Sequence, residues 1–298
     1  MGDGTEQNPY TREDVLKLIK ENGGTAKGLD LSDKVFERGI DLRGFNLLGI
    51  ILKKARLYSA HLEGAFLAGA KLQEAGLTGA HLKGAILMAA NLEGTYLKGT
   101  SLQEADLTGA KLNRAWLEDA KLSSTTALER VDWGRDYICG EEASGNFGQA
   151  ERTYRPLKVW YTNAGYHDIA TKFYYREMEA KRKALKWRSK HCDRLALEIL
   201  RVLFGYGERW RRVLISIAVL ILLFASIYLV ISTFIPNFGT LTPNTFLHSL
   251  YYSAVSFTAL GYGKWAPQPT GWIKGIGAFE SLVWVSMLAL LLVTFFRK

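Results

Sequence analysis

The stretch "AHLKGAILMAANLEG", residues 80–94, repeats a five-residue pattern in which leucine stands at every fifth position. Outward from this stretch, the leucine pattern runs without exception from Leu42 to Leu122. Alanine stands two places before most of these leucines, and glycine often stands two places after. A period of five fits neither an α-helix, at 3.6 residues per turn, nor a strand, at two. A coil that turns a corner every five residues directs all the leucines inward, and such coils are stable only when stacked.

The pattern A-x-L-x-G resembles the pentapeptide-repeat family over Ile40 to Ser124, in seventeen units. The resemblance implies a right-handed quadrilateral β-helix of about four coils. Some members of that family imitate DNA with a strongly acidic surface. This segment carries ten Lys or Arg and eight Asp or Glu. Because the repeats are nearly neutral, we expect a structural scaffold with no nucleic-acid partner.

The net charge of +9 belongs to one segment of the chain. Between Lys172 and Arg212 there are thirteen Lys or Arg against five Asp or Glu, directly before the most apolar third. Within it, Leu195 to Phe204 is short, apolar and flanked by basic residues. This pattern predicts either a helix in the membrane interface or a core helix of a cytosolic domain. Upstream, residues 153–163 and 167–187 predict a helical hairpin.

Two apolar runs in the last third are long enough to cross a membrane. Val213 to Ile235 has twenty-three uncharged residues, and Ile276 to Phe296 has twenty-one residues with one charge, Glu280. At about 1.5 Å per residue, each run can span a hydrocarbon core of about 30 Å. Basic residues flank both runs, which places these flanks in the cytoplasm. Since no secretory signal pattern opens the chain, we expect a multi-pass plasma-membrane protein with its N-terminal domain and C-terminus in the cytoplasm.

Between the two runs lies "SFTALGYGKWAP", residues 256–267. The apolar segment Thr245 to Phe257 is too short to span a membrane, which predicts a re-entrant helix leading into this stretch. The same Gly-Tyr-Gly tripeptide occurs at residues 205–207, but charged residues follow it there. The tripeptide alone therefore indicates little. The order of span, half-helix, Gly-Tyr-Gly and span resembles two-span potassium channels over residues 212–298.

The channel resemblance implies a homotetramer in membrane lipid, with potassium ions held by rings of backbone carbonyls. The filter residues it implies are Thr258, Ala259, Leu260, Gly261, Tyr262 and Gly263, and Tyr251 and Tyr252 match the aromatic collar of the pore helix. Ala259, Leu260 and Lys264 replace the Thr, Val and Asp of the family signature. Ala259 removes the innermost ion site, and Lys264 lowers the cation concentration at the outer mouth. We therefore expect a potassium-preferring pore with low inward conductance or weakened selectivity.

Glu280 lies about two turns into the second span, and an ionisable residue inside a membrane is a candidate functional site. The alternative is that Glu280 is a hydrogen-bonded brace to the pore helix of its own or a neighbouring subunit. Control of the pore is expected to come from the N-terminal half, acting through Leu195 to Arg212 on the inner end of the first span.

The sequence as a whole predicts a multidomain protein: residues 1–39 as an N-terminal helix and lead-in coil, 40–124 as the β-helix, 125–187 as a helical hairpin linker, 188–212 as a basic interfacial helix, and 213–298 as an all-α two-span pore domain. The expected function is a cation channel with a cytosolic repeat domain that has an unidentified ligand or partner. The alternative is a membrane-tethered scaffold whose pore is weakly selective or does not conduct. No catalytic or phosphate-binding motif is present, so we predict no enzyme activity and no cofactor.

Overall fold

The computed structural model describes residues 2–185, 191–207, 210–234, 246–258 and 273–296. The chain divides into two compact units between residues 186 and 187. The first unit contains α1 (Arg12–Glu21), stacked coils, α2 (Gly140–Ala143), α3 (Phe147–Asn163) and α4 (His167–Ala184). The second contains α5 (His191–Ile199), α6 (Trp210–Phe234), α7 (Phe246–Thr258) and α8 (Ile273–Phe296).

Isolated parallel bridges join the stacked coils, and the described residues contain no extended strand. From the bridge between Asp41 and His61 to the bridge between Ser101 and Lys121, each pair of partners lies one coil of twenty residues apart. Bridges recur at every fifth residue, so each coil has four of them. This stacking is that of a β-helix, as the leucine period predicts.

Most backbone amides of the five-residue unit have a hydrogen-bond acceptor. In the unit that begins at His61, the first, second and fourth amides donate to neighbouring coils at 2.9, 2.8 and 3.0 Å, and the fifth closes a turn at 3.0 Å. The third amide lies at the corner. Where the first residue of a unit is Asn or Asp, its side chain accepts from that amide, as Asn91 does from Glu93 at 3.1 Å and Asp106 from Thr108 at 2.9 Å. These bonds leave few backbone groups unpaired.

The interior of the coils is filled by the leucines and by the small residues two places before them. The inward alanines from Ala55 to Ala115 are fully buried. Thr95 and Thr100 interrupt this alanine row, and their hydroxyls donate to the carbonyls of Leu72 at 2.6 Å and Leu77 at 2.9 Å. Since an unpaired buried hydroxyl costs about 1–3 kcal/mol, these bonds make threonine acceptable inside the coil.

Bridged coils continue beyond residues 40–124 at both ends. Asp30 pairs with Ile51 at one end and Asp106 pairs with Ala127 at the other, and each of these partners is twenty-one residues apart. The additional residue lies in the irregular parts of the sequence, where two inward positions are six residues apart instead of five. The bridges therefore stay aligned although the sequence repeat is broken.

The C-terminal end of the coils is covered by α2 and the hairpin of α3 and α4. Glu141 is fully buried, and its carboxylate accepts the amides of Leu117 and Glu118, both at 2.7 Å. Trp133 Nε1 donates to Tyr161 Oη at 2.8 Å. These contacts supply partners for the last coil, which would otherwise expose an edge to other chains.

Both cysteines, Cys139 and Cys192, are free. Cys139 lies beneath the hairpin, where its amide donates to Tyr154 Oη at 3.0 Å. Burial raises the pKa of the Cys139 thiol and of the Tyr154 hydroxyl. Both groups therefore stay protonated at neutral pH, and the Tyr154 hydroxyl donates to Glu142 at 2.6 Å.

Each corner of the coil contains a left-handed residue two places after leucine, which explains the recurring glycine. Gly84 has φ of 65°, and Ala89, at the same place in the next unit, has φ of 55°. A Cβ at Gly84 meets open space. We expect Gly84→Ala to lower the free energy of unfolding by about 1 kcal/mol and Ala89→Gly to raise it by about 0.5–1 kcal/mol, because only glycine adopts this conformation without strain.

Thermal unfolding of the detergent-solubilised chain, followed by circular dichroism, measures both effects. Ala85→Gly is the control, since Ala85 is fully buried and its loss leaves a void in the core. This control should lower the midpoint temperature. A Gly84→Ala chain as stable as the parent would contradict the explanation.

Candidate functional site

The short helix α7 has thirteen residues and packs against both α6 and α8. At about 1.5 Å per residue it is about 20 Å long, too short to cross a membrane. Ser249, Ser253 and Ser256 recur at intervals of four and three residues, so they share one face of the helix. All three are buried. The helix therefore presents hydroxyl groups to its neighbours within an apolar unit.

A single carboxylate on α8 joins the three helices. Glu280 is fully buried, and it accepts hydrogen bonds from Tyr228 Oη on α6 at 2.8 Å and from the Ser253 hydroxyl on α7. The Ser253 hydroxyl also lies 3.0 Å from the carbonyl oxygen of Ile221 on α6. A buried carboxylate is costly unless donors surround it. Here the donors come from both neighbouring helices, so the carboxylate holds them together.

The next residue of α8 makes a second polar contact with α7. The Ser281 hydroxyl lies 2.6 Å from the Ser256 carbonyl oxygen and 2.9 Å from the Gly277 carbonyl oxygen of its own helix. Because Glu280 and Ser281 are adjacent, the contacts fix both the position of α7 along α8 and its rotation about its own axis.

Aromatic side chains pack on either side of these polar contacts. Tyr252 is buried with its ring edge-on to Tyr228, at a centroid distance of 4.7 Å. Phe257 packs against Trp284 at 4.7 Å, in a cluster that also contains Val213 of α6. The C-terminal half of α7 is thus held by both long helices.

A kinked segment connects α5 to α6. α5 continues as a π-helical turn, Leu200–Phe204, and then a tight turn, Gly205–Gly207. Gly205 and Tyr206 both have left-handed backbone angles, with φ of 54° and 59°. The first Gly-Tyr-Gly copy is therefore a connection between helices, in agreement with its charged flank.

The π-helical turn is fastened to the start of α6. The Ser216 hydroxyl donates to the Leu203 carbonyl at 2.7 Å, and Arg212 Nη1 donates to the Arg201 carbonyl at 3.3 Å. Carbonyls at a distorted helix end need partners from outside the helix. Because α6 supplies them, the π-helical turn is held against the first turns of α6.

Comparison with known families agrees with both parts of this architecture. The profile of the family described as "Ion channel" matches residues 216–298. The profile described as "Pentapeptide repeats" matches in eight copies, at residues 38–73, 50–87 and 85–123. The chain joins a pentapeptide-repeat domain to a potassium-channel-like domain. Both resemblances predicted from the sequence are confirmed. Neither family consists of enzymes, which agrees with the prediction that the chain is not an enzyme.

No curated protein sequence matches the chain. Among solved structures, the pentapeptide repeat protein Rfr23 from the cyanobacterium Cyanothece 51142 is 25% identical, with a TM-score of 0.32, over 41% of this chain and 99% of that one. A pentapeptide repeat protein from Nostoc PCC 7120 is 25% identical, with a TM-score of 0.23, over 40% and 93%. One from the thylakoid lumen of Arabidopsis thaliana is 28% identical, with a TM-score of 0.20, over 37% and 65%. The β-helix fold is assigned from the regular spacing of the parallel bridges and not from these similarities.

The channel domain makes this a membrane protein. Within α6, Arg211–Ile231 is long and apolar enough to cross a bilayer, and the apolar stretch described in α8, Gly275–Ala289, is shorter. Ile215 and Val219 of α6 and Leu282 of α8 are more than half exposed. Such side chains are suited to contact with lipid.

The structure describes four of the residues predicted for the pore. Thr258 is the last residue of α7, and its hydroxyl donates to the Ala254 carbonyl at 2.8 Å. Tyr252 is buried, Tyr251 is exposed, and Glu280 is buried as described above. The other predicted residues, Ala259, Leu260, Gly261, Tyr262, Gly263 and Lys264, lie outside the described residues.

Sequence reasoning missed three residues that form the polar contacts between the helices. Tyr228, Ser253 and Ser281 were not singled out, although each contributes a polar group to the helix contacts. A usable signal was present for Ser253, because serines at four- and three-residue intervals mark one face of an otherwise apolar helix. Tyr228 carries no such signal, since a single tyrosine in a span is commonly a lipid-interface residue.

We expect Glu280→Gln to destabilise the channel domain by about 1–3 kcal/mol, because Tyr228 and Ser253 donate to different oxygens of the carboxyl group and glutamine keeps only one of them. Ser281→Ala should cost about 1 kcal/mol through loss of the contact with Ser256. Ser286→Ala is the matched control, since its hydroxyl donates to the Leu282 carbonyl of its own helix at 3.0 Å.

Heat stability in detergent, followed by size-exclusion chromatography, ranks the three variants. The expected order of stability is Ser286→Ala, then Ser281→Ala, then Glu280→Gln. If Glu280→Gln survives heating as well as Ser286→Ala does, the carboxylate is not a brace.

Proposed function

We propose that the chain is one subunit of a homotetrameric cation channel that prefers potassium. The main support for the proposal is that Glu280 and Ser281 hold α7 in place. They thereby fix the position of the C-terminal end of α7, where the filter sequence begins. Thr258 ends α7, and Ala259 follows directly. The C-terminus of a helix carries partial negative charge. Four such termini around one axis would favour a cation at the centre.

The ion-binding groups in this proposal are the backbone carbonyls of the filter, Thr258 to Gly263. Successive carbonyls can face one axis only where some residues are left-handed, which Gly261 and Gly263 allow. Ala259 offers no hydroxyl for an innermost site, and Lys264 opposes cation entry at the outer mouth. The proposal therefore includes a lower inward conductance or a weaker selectivity than the family signature gives. It requires potassium ions and no cofactor.

The proposed topology has two membrane crossings, with both termini and the repeat domain in the cytoplasm. Arg211 and Arg212 precede the first crossing, and Arg297 and Lys298 follow the second. Basic residues next to a membrane span favour the cytoplasmic side, so the segment before the first crossing and the segment after the second are assigned to the cytoplasm. The repeat domain is proposed to be a right-handed, four-sided β-helix, which is supported by the four bridges in each coil.

Purified chain in planar bilayers tests conduction directly. Under a potassium/sodium gradient we expect a reversal potential shifted towards the potassium equilibrium value. Gly261→Ala should abolish the current, because alanine strains the left-handed filter backbone. Gly275→Ala is the matched control, since Gly275 is exposed in α8 and a Cβ there meets nothing.

A reversal potential near zero would remove the potassium preference. Absence of current in several lipids would instead support the membrane-tethered scaffold with a non-conducting pore. An equal loss of current in Gly261→Ala and Gly275→Ala would show that the variants fail for reasons other than the filter.

We also propose that the N-terminal half regulates the pore through the π-helical turn. The support is the fastening of Leu203 and Arg201 to the start of α6 by Ser216 and Arg212. Deletion of residues 1–187 should change the open probability in single-channel recordings while the reversal potential stays the same, because the filter is retained. Unchanged gating would contradict this role.

A further inference from the structure

One outer side of the repeat domain carries two histidines at equivalent places in adjacent coils. His61 and His81 form a parallel bridge pair, and their rings are stacked with centroids 4.8 Å apart and planes 8° apart. The separation follows from the spacing of neighbouring strands in a sheet. His81 is exposed and His61 is partly exposed, so ions in solution can reach both rings.

Glu63 completes a group of three potential metal ligands with these histidines. Glu63 Oε1 lies 3.4 Å from His61 Nδ1, and one ligand atom from each of the three residues lies within 4.8 Å of the others. Among the residues that the structure describes, this is the one such group of His, Cys, Asp and Glu. Its members come from two coils, so the fold and not the local sequence brings them together.

In the described part of the chain, Arg43 and Lys83 occupy the places equivalent to Glu63 on the coils either side, and both form their ion pairs with other carboxylates. Arg43 pairs with Asp41 at 2.6 Å, and Lys83 pairs with Glu104 at 3.2 Å. Within the described part of the chain, Glu63 Oε2 is buried and has no hydrogen-bond partner. A buried carboxylate oxygen without a donor is unfavourable. A cation bound beside Glu63 would remove that cost.

We propose that His61, Glu63 and His81 form a binding site for a divalent transition-metal ion of the zinc class. Two imidazoles and one carboxylate suit zinc, copper or nickel, whereas magnesium and calcium prefer oxygen ligands alone. Three protein ligands leave a fourth position for water in a tetrahedral zinc site.

The donor atoms must move closer together when the ion binds. In a tetrahedral site, bonds of about 2.0–2.1 Å place two donors about 3.3–3.4 Å apart. The described separations reach 4.8 Å. Rotation of the exposed His81 ring about its side-chain bonds can close this gap while the coils stay in place. The bound ion then links two adjacent coils.

Zinc titration of the full-length chain in detergent, followed by calorimetry after treatment with a chelator, tests the site. We expect one zinc ion per chain and a rise in the thermal midpoint, because the ion binds only the folded coils. His61→Ala and His81→Ala should each weaken binding at least about 100-fold, and Glu63→Gln about 10-fold. His167→Ala is the matched control, since His167 is an exposed histidine at the start of α4 and should leave binding unchanged.

Absence of saturable binding at millimolar zinc overturns the proposal. So does binding that persists in His81→Ala, that is lost in His167→Ala, or that is unaffected by Glu63→Gln. Circular dichroism shows whether each variant is folded. Because glutamine has nearly the same shape as glutamate, Glu63→Gln tests one ligand without disturbing the fold. The result does not depend on conduction, so failure here and failure of the channel proposal are distinguishable.

Discussion

Hydrogen bonding between coils of equal length is the constraint on which the N-terminal unit depends. A coil of twenty residues returns each leucine to the same inward direction, and a slip of one residue would turn a leucine outward. In the unit that begins at His61, three of the five amides are bound to neighbouring coils. The two twenty-one-residue registers near the ends accommodate their additional residue without disturbing the inward positions.

The same constraint arranges the outer surface. Residues twenty positions apart lie side by side, so similar side chains form columns that no local motif reveals. His61 and His81 stack in one column, and Tyr96 and Trp116 stack in another, at 5.5 Å. The backbone bonds and the leucines supply the stability, which leaves these outer positions open to binding chemistry.

The channel domain is held together in a different way. Lipid offers little hydrophobic driving force for helix association, so packing and hydrogen bonds between helices carry more of the specificity. Glu280 receives Tyr228 from one helix and Ser253 from another, and Ser281 adds a contact with the backbone of α7. The placement of the short helix therefore depends on a few polar contacts, whereas the placement of a coil depends on many equivalent ones.

The parts of the molecule that follow from periodicity and length can be predicted from the amino-acid sequence. The five-residue leucine period required stacked coils, and the lengths of the apolar runs indicated two long helices and one short one, which the structure gives as Trp210–Phe234, Ile273–Phe296 and Phe246–Thr258. The polar groups that meet are known only from the folded chain: Glu280 with Tyr228, Glu141 with the amides of the last coil, and Glu63 with His61 and His81. Periodicity fixes the face on which a residue lies, because it follows from backbone geometry. Contacts between residues distant in the chain depend on the register and rotation of whole elements, which no short stretch of sequence specifies.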